Sequence, residues 1–277
     1  MATMTTIALK TIALHVHQDS GFESRLQVAL DLARAHNGHL TCIQATGIEP
    51  IAGEPFGGMF GYAAIVDTML DQDKALRTAI STRLENEGVS WDWRYRDDGV
   101  IEGLIAESRL ADLTVLSQPP AARSQFDSPP AIIGELALNI MGPIMMVPVT
   151  ARGIAPDAPA MVAWNGSAEA AHALRQSLGL LQGAALVHLV EVSDESPGRP
   201  AREAATWLSR HGIKAEIHDW PPKGRRISVA LLHAAEELHA GYLVMGAYGH
   251  SRLRETVLGG VTRELIQTAN LPLVMAH

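Results

Sequence analysis

A single cysteine, Cys42, stands among 277 residues, so no internal disulfide can staple the chain. Basic residues are scarce as well: 22 Lys and Arg face 30 Asp and Glu, a formal net charge of −8. That balance removes any general pull toward nucleic acid or an anionic membrane surface, so neither is expected as a partner. Aromatics make up only 5% of the residues, and no apolar run approaches the ~18 residues that would cross a bilayer. The first residues lack a basic stretch followed by an apolar segment and a cleavage site, which makes a cytoplasmic location the expectation. Also missing are a Walker lysine, a serine nucleophile elbow and a paired-carboxylate constellation.

Hydrophobic residues form 47% of the chain, the balance of a globular protein able to bury a sizeable core. The length predicts two domains at ~150 residues each. Residues 111–147 overlay residues 240–276 at one constant offset of 129 without a gap. In that register Ala111 meets Ala240, Val115 meets Val244, Glu135 meets Glu264, Leu136 meets Leu265, Pro143 meets Pro272 and Met146 meets Met275. The chain is therefore an internal repeat, with domains expected at 1–150 and 159–277. Between them, residues 150–159 carry Gly153, Pro156 and Pro159 without apolar periodicity and read as a linker.

In the second copy the pattern predicts strands at 161–164, 186–192, 213–218, 242–245 and 272–276. Helices are predicted from Ala168, capped by Ser167, with Ala171, Leu174, Leu178 and Leu181 on one face, then before Gly212, at 227–239 and at 262–268. The first copy repeats the order from a strand at 7–14 and a helix at 24–36, and inserts a Gly-rich excursion at 53–61. Strands alternating with helices imply right-handed crossovers and a mostly parallel sheet covered on both faces.

Near the end, Met245-Gly246-Ala247-Tyr248-Gly249 is followed by nine residues and then Gly259-Gly260-Val261-Thr262. Glycines at strand-to-loop and loop-to-helix junctions let main-chain N–H groups approach a ligand, and a helix N-terminus favours negative charge, so phosphate is the natural guest. The same glycines could simply shape tight turns. Ligands of doubly wound sheets collect at the carboxyl ends of strands. Should the first and fourth strands of the repeat be neighbours, the turn Asn165-Gly166-Ser167 would face Gly246 and Gly249 across one crevice. In the first copy the offset replaces Gly246, Gly249, Gly259 and Gly260 with Ser117, Pro120, Pro130 and Ala131. Proline removes an amide donor, so phosphate is not expected there.

With these residues the chain resembles the universal stress protein family in its tandem form. The carrying segments are Val162 through Ser167, Val244 through Arg252, Leu258 through Thr262 and Pro272 through Met275. The resemblance implies two five-stranded parallel α/β domains of strand order 3-2-1-4-5, Rossmann-like and related to the adenine nucleotide alpha hydrolases. It further implies ATP or a related adenine nucleotide, alone or with Mg, as ligand of the second copy in a stress-response setting. Carried over by position, Trp164, Asn165 and Val190 would lie near adenine and ribose, Met245, Gly246 and Gly249 along ribose and phosphate, and Gly259, Gly260, Val261 and Thr262 around the phosphates. Asn165 stands where the family often has Asp, and Gly260 where it has a hydroxyl residue. Family domains pair through their fifth strands, which here implies an intrachain pseudo-dimer joining 144–147 to 273–276, with a homodimer as a further level.

The expected role is a non-enzymatic binding module. The rivals are a slow ATPase or self-phosphorylating enzyme, and a nucleotide-free scaffold or binder of an apolar ligand. Lys223, Arg225, Arg226, Arg252 and Arg254 could close over a triphosphate or be solvated surface groups. No catalytic residue is expected; His250 has no carboxylate near it in sequence. His15 and His17 would share one strand face, a spacing open to metal, but without a third ligand no metal site is expected. His36 and His39 flank Gly38 at a helix end, where a cation meets the helix dipole favourably. Cys42 reads as strand packing.

Overall fold

The computed structural model describes residues 8–46, 58–119, 131–193, 200–247 and 259–277. The first half runs β1 (Thr11–His15), α1 (Phe22–His36), β2 (His39–Ala45), α2 (Gly58–Leu84), β3 (Ser90–Arg96), α3 (Val100–Glu107), β4 (Leu113–Ser117), α4 (Ala131–Asn139) and β5 (Ile144–Val147). The second runs β6 (Ala160–Ala163), α5 (Ala168–Gln176), α6 (Leu178–Leu181), β7 (Val187–Glu191), α7 (Pro200–Arg210), β8 (Ala215–Asp219), α8 (Ile227–Glu237), β9 (Tyr242–Gly246), α9 (Gly260–Thr268) and β10 (Leu273–Ala276).

All ten strands join one sheet in the order β3-β2-β1-β4-β5-β10-β9-β6-β7-β8. Each half thus has order 3-2-1-4-5, and within each half every pairing is parallel. The seam is antiparallel: Leu273, Val274 and Met275 of β10 stand opposite Met146, Met145 and Ile144 of β5. This pairing consumes the two fifth-strand edges, whose unpaired N–H and C=O groups would otherwise be free to template association. The inner strands are buried on both faces, as parallel sheets require.

One apolar layer packs α1, α2, α5, α6 and α7 against the sheet, and α3, α4, α8 and α9 supply the other. Both layers take residues from both halves. Cys42 is fully buried in β2, and burial pushes its thiol up to about 12, so it packs rather than reacts.

Several boundaries differ from expectation. The opening strand starts at Thr11, with 8–10 outside it and residue 7 outside the described residues, and β8 is shifted to Ala215–Asp219. The helix expected to carry Leu174, Leu178 and Leu181 together breaks at buried Ser177 into α5 and the single turn α6. Of the Gly-rich excursion, 53–57 lie outside the described residues and 58–61 belong to α2. The left-handed residue ending α1 is Asn37, φ 47°, instead of Gly38. His39 is no cap: it opens β2 and its Nδ1 lies 2.8 Å from the Ser90 hydroxyl.

Candidate functional site

At the carboxyl ends of β6 and β9, which pair directly (Ala160 opposite Tyr242, Val162 opposite Val244), the second half opens into a cavity of about 290 Å³. Trp164, Asn165, Val190, Met245, Gly246, Gly259, Gly260, Val261 and Thr262 all line it. Gly249, together with Tyr248, His250, Arg252 and Arg254, falls outside the described residues.

Each wall follows from local chemistry. The chain leaves β6 through Gly166, whose φ of 74° favours glycine. Asn165 Oδ1 accepts from Ser167 N at 3.0 Å, and Ser167 Oγ accepts from Ala170 N at 3.1 Å. Ser167 therefore caps α5, as the sequence predicted, and Asn165 spends its carbonyl on that turn while its Nδ2 remains a donor. On the opposite side Gly259, φ −53° and ψ 146°, starts α9, and among the described residues no side chain caps it. The first backbone bond of α9 runs from Arg263 N to Gly259 O at 2.9 Å, so the amides of Gly260, Val261 and Thr262 precede the helical ladder. They are the groups able to receive an anion. Nothing stands within 4 Å of a Cβ built on Gly260.

Gly246 is different. A Cβ there would meet Glu169 carbonyl carbon at 2.6 Å and Ala170 N at 2.8 Å. The glycine is needed because α5 starts against the end of β9, whatever the cavity holds.

One side of the lining is apolar. Val190 and Val192 from β7 and its exit and Ile227 and Leu231 from the first turns of α8 form a slot, with buried Trp164 at its edge. Trp164 Nε1 is buried without a hydrogen-bond partner. Sequence reading missed Ile227 and Leu231; their i, i+4 spacing at the start of a helix following the third strand was the available signal. Among the described lining residues, Glu169 is the only titratable side chain. Arg226, a candidate for closing over phosphates, instead pairs with Glu264 of α9 at 2.8 Å, tying the starts of α8 and α9 together. Lys223 and Arg225 stay on the exposed turn before α8.

The equivalent crevice of the first half is filled from within. The strand registers place His15, Val16, His17, Asp19 and Gly21 where the second half has Ala163, Trp164, Asn165, Ser167 and Glu169. Arg25, with no exposed surface, reaches across this space. Its Nε donates to His15 O at 2.7 Å, Nη2 to His17 O at 2.5 Å, and Nη1 to Asp19 Oδ1 at 2.7 Å and Ser117 Oγ at 2.5 Å. Burial pushes the Asp19 carboxyl up, but its bonds from Arg25, the Arg25 charge and the Gly21 amide together hold it below its ordinary value. His15 and His17 stack at 6.0 Å between ring centroids. Burial first, then the Arg25 and His17 charges, pull His15 down to about 3, so its ring stays neutral.

Comparison with protein-family models gives no match, and comparison with curated proteins gives none. The fold does have solved relatives. A universal stress protein from Archaeoglobus fulgidus superposes with a TM-score of 0.73 at 14% identity, over 96% of this chain and 97% of that one. A Pseudomonas aeruginosa protein of unknown function gives 0.62 at 18% identity, over 97% and 92% of the two chains. A further Pseudomonas aeruginosa protein, described as a universal stress protein, gives 0.59 at 18% identity, over 97% and 93%. The architecture is accordingly that of tandem universal stress proteins, Rossmann-like in each half. No described helix is long and apolar enough to cross a membrane.

Proposed function

We propose that the chain is a stress-response binding module whose second half, 159–277, takes ATP or a related adenine nucleotide, while 1–150 serves as its fused structural partner. The observation that carries this reading is the cavity at the β6/β9 ends, which joins an apolar slot to the open amide end of α9. A volume of about 290 Å³ lies just below the roughly 300–1,000 Å³ of small-molecule sites. It suits a nucleoside inside, with phosphates at the Gly259–Thr262 rim. The purine would lie between Val190, Val192, Ile227 and Leu231. Trp164 Nε1, otherwise an unmet buried donor, and Asn165 Nδ2 would serve its polar edge or the ribose. The phosphates would meet the amides of Gly260 and Val261 and the Thr262 hydroxyl, in the field of the α9 dipole.

Binding without turnover is the favoured mode. Hydrolysis requires a positioned base and, as a rule, metal held by acidic side chains; among the described lining residues Glu169 is the sole acid, and it sits on the first turn of α5. Labelled ATP incubated with purified protein separates the modes. Retention near one nucleotide per chain without product supports a binding module. Steady release of ADP that stops in Gly259→Val protein would establish the ATPase instead, and no uptake at millimolar ATP would leave the scaffold reading.

A further inference from the structure

Strands β7 and β8 close the outer end of the second half, β8 being the sheet edge. They pair in parallel with His188 opposite Glu216 and Val190 opposite His218. Residues in register share a face, and alternate residues of one strand share it too, so His188, Glu216 and His218 project from the same side of the sheet. His188 Nδ1 lies 2.9 Å from His218 Nε2, with ring centroids 5.0 Å apart. One ligating atom from each of the three side chains falls within 4.8 Å of the others.

We propose that His188, His218 and Glu216 bind one borderline divalent transition-metal ion, Zn²⁺ being the type case. Metal–ligand bonds of ~2.0–2.2 Å put two ligands of one tetrahedral ion about 3.3 Å apart. The two imidazole nitrogens reach that separation by opening a few tenths of an ångström. Glu216 is exposed, and among the described residues its ion pair is a loose one with Lys214 at 3.8 Å, so its carboxylate can swing in. Two imidazoles and one carboxylate are a zinc-type donor set, and the exposed edge leaves the fourth position to water.

The bond between the rings does not bar the ion. In the metal-free pair one neutral ring donates its N–H to the other, and shifting that proton to the ring's second nitrogen turns both facing nitrogens into lone-pair donors. Bound metal would fasten the edge strand to β7, directly below Val190 of the cavity wall.

The test uses untagged, chelator-stripped full-length protein and Zn²⁺ alone, titrated in competition with a chromophoric chelator. One Zn²⁺ per chain with micromolar or tighter affinity is expected, together with a rise in Tm on loading. Glu216→Gln should weaken binding by about tenfold or more, His218→Ala should abolish it, and exposed His17→Ala should leave it unchanged. Circular dichroism of each metal-free variant verifies the fold. No stoichiometric Zn²⁺ at micromolar concentration, or full affinity surviving in either His218→Ala or Glu216→Gln protein, overturns the site.

Discussion

Gly246 and Glu169 touch so closely that a Cβ on Gly246 would sit 2.9 Å from the Glu169 Cβ and 2.6 Å from its carbonyl carbon. The first half solves the same contact in reverse. There Ser117 occupies the Gly246 position and Gly21 the Glu169 position, and a Cβ on Gly21 would meet Ser117 Oγ at 2.5 Å. One side chain fits at this junction between strand end and helix start, and each half has chosen a different one. The choice also divides the two crevices: Ser117 gives buried Arg25 an acceptor that closes the first, while glycine leaves the second open.

The reciprocity predicts the behaviour of exchanges. Gly246→Ser should destabilise by about 1–3 kcal/mol, the usual range for overpacking against backbone. Adding Glu169→Gly should recover part of that loss, with a coupling of about 0.5–3 kcal/mol in the double-mutant cycle. Urea unfolding of the four proteins measures both.

Gly260 offers the opposite case, since open space surrounds its missing side chain. Gly260→Ser should be accommodated without strain and place a hydroxyl at the phosphate rim. ATP affinity should rise by about 0.5–1.5 kcal/mol, read by isothermal titration. Unchanged or weaker binding would remove the phosphates from this rim.

Fully buried Arg25 and partly exposed Asp19 close the first crevice, their side chains 0% and 34% exposed. Asp19→Ala should cost toward the lower end of the ~3–5 kcal/mol seen when a buried pair loses one partner, because Asp19 is partly solvated and Arg25 keeps two carbonyls. The folded Asp19 pKa lies below its ordinary 3.8. Its contribution is thus complete above that value and disappears as pH falls through the folded pKa. Asp19→Asn should have a flatter stability curve than wild type below about pH 4.

His15 gives a second pH signature. Its folded pKa of about 3 lies under the ordinary 6.5, so between these values the unfolded chain binds a proton that the folded chain refuses. Stability should therefore fall as pH drops from 6.5 toward 3. His15→Gln should lose less stability between pH 7 and pH 5 than wild type in matched urea titrations.

Much of this was legible in the sequence because it is local or repeated. Alternating strand and helix patterns, the Ser167 cap and the repeat register are carried by neighbouring residues or by a fixed offset. The turns around Asn165, Gly246 and Gly259 are likewise short-range signals, and the fold brings them to one cavity. What stayed hidden depends on register between distant strands. The closeness of His188 and His218 emerges only once β7 and β8 align, whereas His15 and His17, two positions apart in sequence, were the pair that sequence alone could bring together. Arg25 reads as one polar residue on an amphipathic helix; only the β1/β4 neighbourhood shows four acceptors converging on it. The break at Ser177 is a tertiary effect that continuous helical periodicity conceals.

The decisive measurement is equilibrium dialysis of ATP against wild-type protein and against Val190→Trp, in which an indole fills the slot between β7 and α8. The expected result is saturation at one ATP per chain for wild type and a loss of binding in the variant with its fold intact. Two ATP per chain, or equal binding by both proteins, would contradict a nucleotide site in the second-half cavity.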